Sequence, residues 1–180
     1  KTFFHLDDKK HGTDDLQDIV YGKKHLQSLD WVDADKIGIM GGSYGGFMTS
    51  WALGHDTRYK AGLVERAVTS WNSFFGTSDI STWFAAKTID ATIEERESEV
   101  TRQSPLHYAA NIVAPTLIVH SEEDWRCPIE QGEQLFAAIR RDDRVIIPRG
   151  TDVILPGDDI YLAAPTDEIG KVLSTCGIRV

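Results

Sequence analysis

The sequence predicts an α/β fold: a mostly parallel sheet flanked by helices, with a small β-rich α+β segment at the C-terminal end. Three observations carry this expectation. At residues 36–47, KIGIMGGSYGGF, a short apolar run passes through glycines around one serine and into a helix-like segment holding Phe47, Met48, Trp51 and Leu53. Strand, sharp turn and helix in that order belong to a parallel α/β sheet. A second apolar run at residues 116–119, TLIV, reads as a buried strand and ends in a cluster of acidic residues. Beyond Arg141 the composition changes: all five Trp and all six His lie before it, and short apolar runs alternate with turn residues after it.

Taken in order, residues 1–13 mix charge, aromatics and glycine without a period and read as a loop. From Asp14 the spacing of Leu16, Ile19, Val20, Leu26 and Leu29 predicts an amphipathic helix, with Asp14 and Gln17 placed as a cap pair. Residues 32–35 then turn into the glycine-flanked strand. Residues 61–64, followed by Ala67 and Val68, predict another buried strand. The stretch from Trp71 to Phe84 shows neither helix nor strand period. Its aromatics, Trp71, Phe74, Phe75, Trp83 and Phe84, with Tyr59 upstream, fit core packing or a pocket wall, core being the simpler reading. Residues 90–103, DATIEERESEVTRQ, predict a solvated helix, and residues 129–141 an amphipathic one through Ile129, Leu135, Phe136 and Ile139. In the tail, strands are expected at residues 145–147 and 160–163, an apolar run at 153–155, a Pro156-Gly157-Asp158 turn, and a helix begun by Thr166.

Gly41, Ser43 and Gly45 satisfy G-x-S-x-G, the nucleophile elbow, whose strained turn leaves no room for side chains beside the serine. The alternative is a glycine-rich turn that happens to hold a serine. On the first reading Ser43 is the candidate nucleophile. The amide of Tyr44, backed by a helix N-terminus, is the candidate oxyanion donor. Asp124 follows the carboxyl end of the later strand, where the acid of a Ser, Asp, His order falls, with Glu122 and Glu123 as rivals.

Composition restricts the alternatives. A chain of 180 residues suits one domain, and 41% hydrophobic with 26% charged residues suits an ordinary globular one. The net charge of -9 argues against a nucleic-acid footprint or an anionic membrane surface. No apolar run reaches transmembrane length, and KTFFHLDDKK lacks the apolar core of a signal peptide, so no membrane insertion is expected and a cytoplasmic location is the default. Cys127 and Cys176 form neither a disulfide framework nor a metal motif, and no cofactor or metal is expected. Oligomeric state is not legible.

The segments DKIGIMGGSYGGFMTSWALGH, WNSFFGTSDI, SPLHYAANIVAPTLIVH and SEEDWRCPIEQGEQLF, in this order, closely resemble the catalytic domain of the prolyl oligopeptidase family, in particular its acylaminoacyl-peptidase-like branch. The resemblance covers roughly residues 10–138. It implies a partial α/β-hydrolase fold and a serine peptidase acting on peptide or acyl-amide bonds, with a peptide as its substrate. Ser43 would be the nucleophile, Asp124 the acid orienting a histidine, and Tyr44 the oxyanion donor. Arg126, Cys127 and Pro128 match the family's Arg-Cys-Pro turn, which is taken as structural. The sequence also departs from the family. Its histidines are His5, His11, His25, His55, His107 and His120, so none follows Asp124, and no HGGG-like segment for a second oxyanion donor is present. His5, His11 and His25 are expected on the surface.

The tail, RRDDRVIIPRGTDVILPGDDIYLAAPTDEIGKVLS, is similar to the second half of the RCK-C or TrkA-C domain of potassium-uptake regulators. This divides the chain into a truncated hydrolase domain, 1–138, and a partial RCK-C-like segment, 139–180. The expectation is a serine hydrolase crippled by the absent histidine. The alternatives are a non-enzymatic ligand-binding module related to potassium transport and a fusion with no function of its own. The tail can also cover a sheet edge as a surrogate final strand.

Overall fold

The computed structural model describes residues 11–89, 97–139 and 161–163. Its elements are α1 (Asp14–Gln27), β1 (Ile39–Gly42), α2 (Tyr44–His55), β2 (Gly62–Glu65), α3 (Trp71–Thr77), α4 (Ser81–Ile89), α5 (Glu97–Arg102), a 3-10 helix (Pro105–Asn111), β3 (Thr116–His120), α6 (Glu130–Ile139) and β4 (Tyr161–Ala163). The strands form one sheet in the order β1-β2-β3-β4, every pair parallel. Ile39 pairs with Gly62, Gly62 with Thr116, and Ile118 with Tyr161, which brings the carboxyl ends of β1, β2 and β3 to one edge.

Helix α2 is central. Nine consecutive residues, Gly46 to Gly54, are buried, as a helix apolar on all sides requires. One side of it, Ala52 and Leu53, packs with Val64, Ile118, Leu135 and Ile139 from β2, β3 and α6. The other side, Phe47, Met48 and Trp51, packs with Trp71, Phe74, Ile89 and Val100. Rings of Tyr44, Phe47, Trp51 and His55 stack in series along α2, with centroids 5.4, 5.8 and 4.5 Å apart, because residues three and four apart share a helix face.

Several sequence expectations need correction. Helix α1 begins at Asp14, but Thr13 stands at its N-cap and the carboxylate bonding the local amides is that of Asp15. Its stripe is only partly covered: Leu16 and Ile19 touch the core, whereas Leu26 is exposed and the buried residue is Lys23. Lys23 is accommodated by an ion pair to Asp56 at 2.9 Å and by the Tyr59 ring, 3.9 Å from its ammonium. Met40 is 71% exposed although the apolar run around it reads as buried: it alternates with Ile39, which packs against the core, and so projects from the opposite face of the sheet. Ala67 and Val68 lie beyond β2 in a buried loop rather than extending a strand. The aromatic stretch forms α3 and α4. Trp71, Phe74 and Tyr59 are core, Phe75 and Phe84 pack against it, and Trp83 is exposed.

The short helix Glu97–Arg102 lies within the charged stretch, and residues 90–96 are outside the described residues. So are residues 1–10 of the expected N-terminal loop at 1–13 and, in the tail, the strand at 145–147, the run at 153–155, the Pro156-Gly157-Asp158 turn and the helix from Thr166. The expected strand at 160–163 appears as β4 on β3. No described helix is long and apolar enough to cross a membrane.

Candidate active site

Ser43 joins β1 to α2 with φ 58° and ψ -120°, a left-handed conformation that a residue with a Cβ adopts only where its surroundings enforce it. The enforcement is visible. Its amide donates to the Glu65 carbonyl at 3.0 Å and its carbonyl accepts from the Phe47 amide at 3.0 Å. At Gly46 a Cβ would come within 2.7 Å of both the Ala67 methyl and the Glu65 carbonyl, so α2 can lie this close to β2 only with glycine there. Tyr44 is the first residue of α2, where helix amides have no intrahelical acceptor and the macrodipole is positive.

Asp124 sits in the turn after β3. Its Oδ1 accepts from the amides of Arg126 at 2.9 Å and Cys127 at 2.8 Å, closing the turn. That turn is fastened from two sides. Inside, His120 Nε2 lies 2.5 Å from the Cys127 carbonyl, which requires the ring to carry its proton there. Outside, the Ser78 hydroxyl donates to the Arg126 carbonyl, the Asp79 amide donates to the Trp125 carbonyl, and Arg126 forks onto the Asp79 carboxylate at 2.7 and 3.1 Å. The Arg126 guanidinium holds the Asp79 carboxyl below the usual carboxylate range.

The two expected residues are brought into one neighbourhood through Cys127. Burial pushes the Cys127 thiol up to about 11, with the nearby Asp124 acting in the same direction and Ser43 in the opposite one, so it stays protonated at neutral pH. Beside it opens a cleft of about 290 Å³ lined by Asp124, Trp125, Arg126, Ser121, Glu65 and Arg66, among others. Arg66, like Ser43, has a positive φ, 37°, and follows the end of its strand. The rivals of Asp124 separate: Glu123 lines this cleft and both Glu122 and Glu123 are exposed, whereas Asp124 is half-buried.

Sequence reading missed three participants. His11, expected on the surface, is 7% exposed and bonds the Tyr44 hydroxyl at 2.7 Å, because Gly12 turns the chain against α2. Cys127 reaches Ser43 only through the tertiary fold. Gln131, fully buried, accepts from the amides of Thr69 and Ser70 at 2.8 and 2.9 Å and donates to Ser73 Oγ at 2.7 Å. Its position in the run CPIEQGEQ gives no periodic sign of this. Among the described residues no cluster of His, Cys, Asp and Glu is arranged to hold a metal ion.

A parallel sheet with an elbow serine and an acidic turn at its carboxyl edge defines a domain of the hydrolase type. The chain belongs to the prolyl oligopeptidase family, which residues 1–147 match. It is 41% identical over 132 residues to the uncharacterised peptidase YuxL of Bacillus subtilis, covering 73% of this chain and 20% of that protein. It is 27% identical over 139 residues to the mouse acylamino-acid-releasing enzyme, covering 72% and 19%. Among solved structures, the uncomplexed acylaminoacyl peptidase of Pyrococcus horikoshii superposes with a TM-score of 0.71 at 37% identity, covering 76% of this chain and 23% of that one. An acylaminoacyl peptidase in complex with Z-Gly-Gly-Phe-chloromethyl ketone gives 0.71 at 38%, covering 74% and 22%. The chain therefore spans about a fifth of the length of the curated relatives it matches.

Proposed function

We propose that this chain carries the nucleophile and acid of a serine peptidase acting on peptide or acyl-amide bonds. Ser43 attacks the carbonyl carbon, the Tyr44 amide receives the developing oxyanion, and Asp124 orients the histidine that takes the serine proton. With Oδ1 of Asp124 committed to its own turn, Oδ2 is the oxygen left for an imidazole N–H. The observation that carries this reading is the strained Ser43 backbone at a strand-to-helix junction, at the same carboxyl edge of the sheet as the Asp124 turn. The peptide-like inhibitor in a related acylaminoacyl peptidase supports a peptide substrate.

No histidine follows Asp124 within the 180 residues, so the isolated chain is expected to be severely impaired. In serine proteases loss of the histidine costs on the order of a million-fold in turnover. A fluorophosphonate probe tests both parts: slow labelling at Ser43, lost in Ser43→Ala, is expected. Brisk labelling would sink the claim of impairment, and labelling untouched by Ser43→Ala would sink the nucleophile. For residues 139–180, the proposed RCK-C-like segment, the pairing of Tyr161–Ala163 with β3 favours a role as edge strand over a separate ligand-binding module.

A further inference from the structure

The segment before α1 is bound to the start of α2 in a way that the elbow chemistry does not by itself require. The Tyr44 hydroxyl donates to Asp15 Oδ2 at 2.5 Å and lies 2.7 Å from His11 Nδ1. A phenol has one proton, and here it is donated to Asp15, so the phenol oxygen accepts from His11, which donates through Nδ1. Asp15 also accepts from the Gly12 amide at 3.1 Å and the Leu16 amide at 2.8 Å, which fixes the carboxylate in place. The group is largely shielded: the side chains of His11 and Asp15 are 8% and 15% exposed, and the His11 ring meets the edges of Tyr44 and Phe47.

A second fastening lies further along the same helix. Gly12 has φ 80°, and its carbonyl accepts from Trp51 Nε1 at 2.8 Å. A Cβ on Gly12 would fall 2.1 Å from the Trp51 ring, so the chain runs flush against α2. Residues 11–15 are thereby tied to α2 at Tyr44 and again at Trp51. Tyr44 is joined by one peptide bond to Ser43, whose backbone is strained and must be held by its neighbours.

We propose that His11 and Asp15 are positioning residues of the elbow, acting through the Tyr44 phenol to hold the Ser43–Tyr44 peptide in its strained orientation. This rests on the reading of Ser43 as nucleophile and the Tyr44 amide as oxyanion donor. Neither His11 nor Asp15 touches the reacting atoms in this role. They restrict the tilt of the peptide that carries the oxyanion-binding N–H, where a small misplacement is costly.

The test is the rate of fluorophosphonate labelling at Ser43 in the full 180-residue chain, with wild type compared with Tyr44→Phe, Asp15→Asn and the double variant. Each single variant is expected to label about tenfold more slowly, and the double variant no more slowly than either, because one chain of bonds is cut twice. Lys36→Ala, at an exposed position, serves as control and should label like wild type. Variants that label at the wild-type rate overturn the inference and leave the nucleophile reading standing. If wild type labels too slowly to measure, as loss of the histidine can cause, the positioning claim is judged by amide hydrogen exchange. Exchange across residues 41–47 rising about tenfold in Tyr44→Phe while residues 116–120 stay unchanged supports it, and unchanged exchange at 41–47 overturns it. Tyr44→Phe removes a single oxygen, so the test stands even where Asp15→Asn fails to fold.

Discussion

Asp56 shows how much a single carboxylate can do at the junction of two helices. It takes the buried Lys23 ammonium at 2.9 Å and the Arg58 guanidinium at 2.8 and 3.0 Å. The Arg58 guanidinium foremost, and then the Lys23 ammonium, hold its carboxyl well below the usual carboxylate range. A depressed folded value means the contribution is fully present above the unfolded value near about pH 4 and fades as pH falls through the folded one. Asp56→Asn should therefore cost about 2 kcal/mol at pH 7 in urea melts, with the gap to wild type closing as the pH drops below about 4. A gap that stays constant across that range would show that charge is not its source. At this scale the placement of Ser43 and Asp124 was legible because their local strings mark it: glycines around a serine at a strand-to-helix junction, and a carboxylate just past a strand. His11 and Lys23 were not, since each is defined by a partner more than thirty positions away, Tyr44 and Asp56 respectively.

Between elements, the contact that ties α6 to the loop leading into α3 is Gln131 at the start of the helix. Its amide group satisfies two backbone amides of the loop leading into α3, and its carbonyl accepts from the Thr69 hydroxyl at 2.6 Å. Gln131→Ala leaves the Thr69 and Ser70 amides buried without acceptors and opens a cavity. A loss of about 3 kcal/mol is expected in denaturant titration. A loss below about 1 kcal/mol would mean that the loop relaxes to find other acceptors. The elements themselves were readable where one period dominated: α2, β3 and α6 lie close to their expected positions. The reading failed where burial is one-sided. Met40 and Leu26 look like core in sequence because hydropathy records what a residue tolerates, not whether a neighbour arrives to cover it.

Across the described residues, the sheet ends in β4, which covers β3. Strand β4 pairs with Ile118–His120, the end of β3 that leads into the Asp124 turn, so it covers the β3 edge beside that turn. Leu162→Pro removes one backbone donor from that strand and should lower the melting temperature and raise light scattering on heating, by an amount equivalent to about 1–3 kcal/mol. Melting and scattering identical to wild type would argue that β4 contributes nothing to the sheet. The α/β class followed from strand-turn-helix order alone. The strand order did not, because parallel pairing is decided by helices packing on the sheet faces and leaves no local turn signature.

The all-parallel register also sets the order in which the chain can find its structure. Ile39 pairs with Gly62, Gly62 with Thr116 and Ile118 with Tyr161, so no two neighbouring strands are joined by a hairpin. Every ladder must wait until the intervening helices have collapsed, and loop-closure entropy is spent before any strand pair rewards it. Helix α2, buried along nine residues and shared by both core clusters, is the surface on which β1 and β2 can first be brought together. A fold of this kind forms slowly and spends its early life with bare strand edges, which makes dilution and low temperature the natural conditions for refolding it.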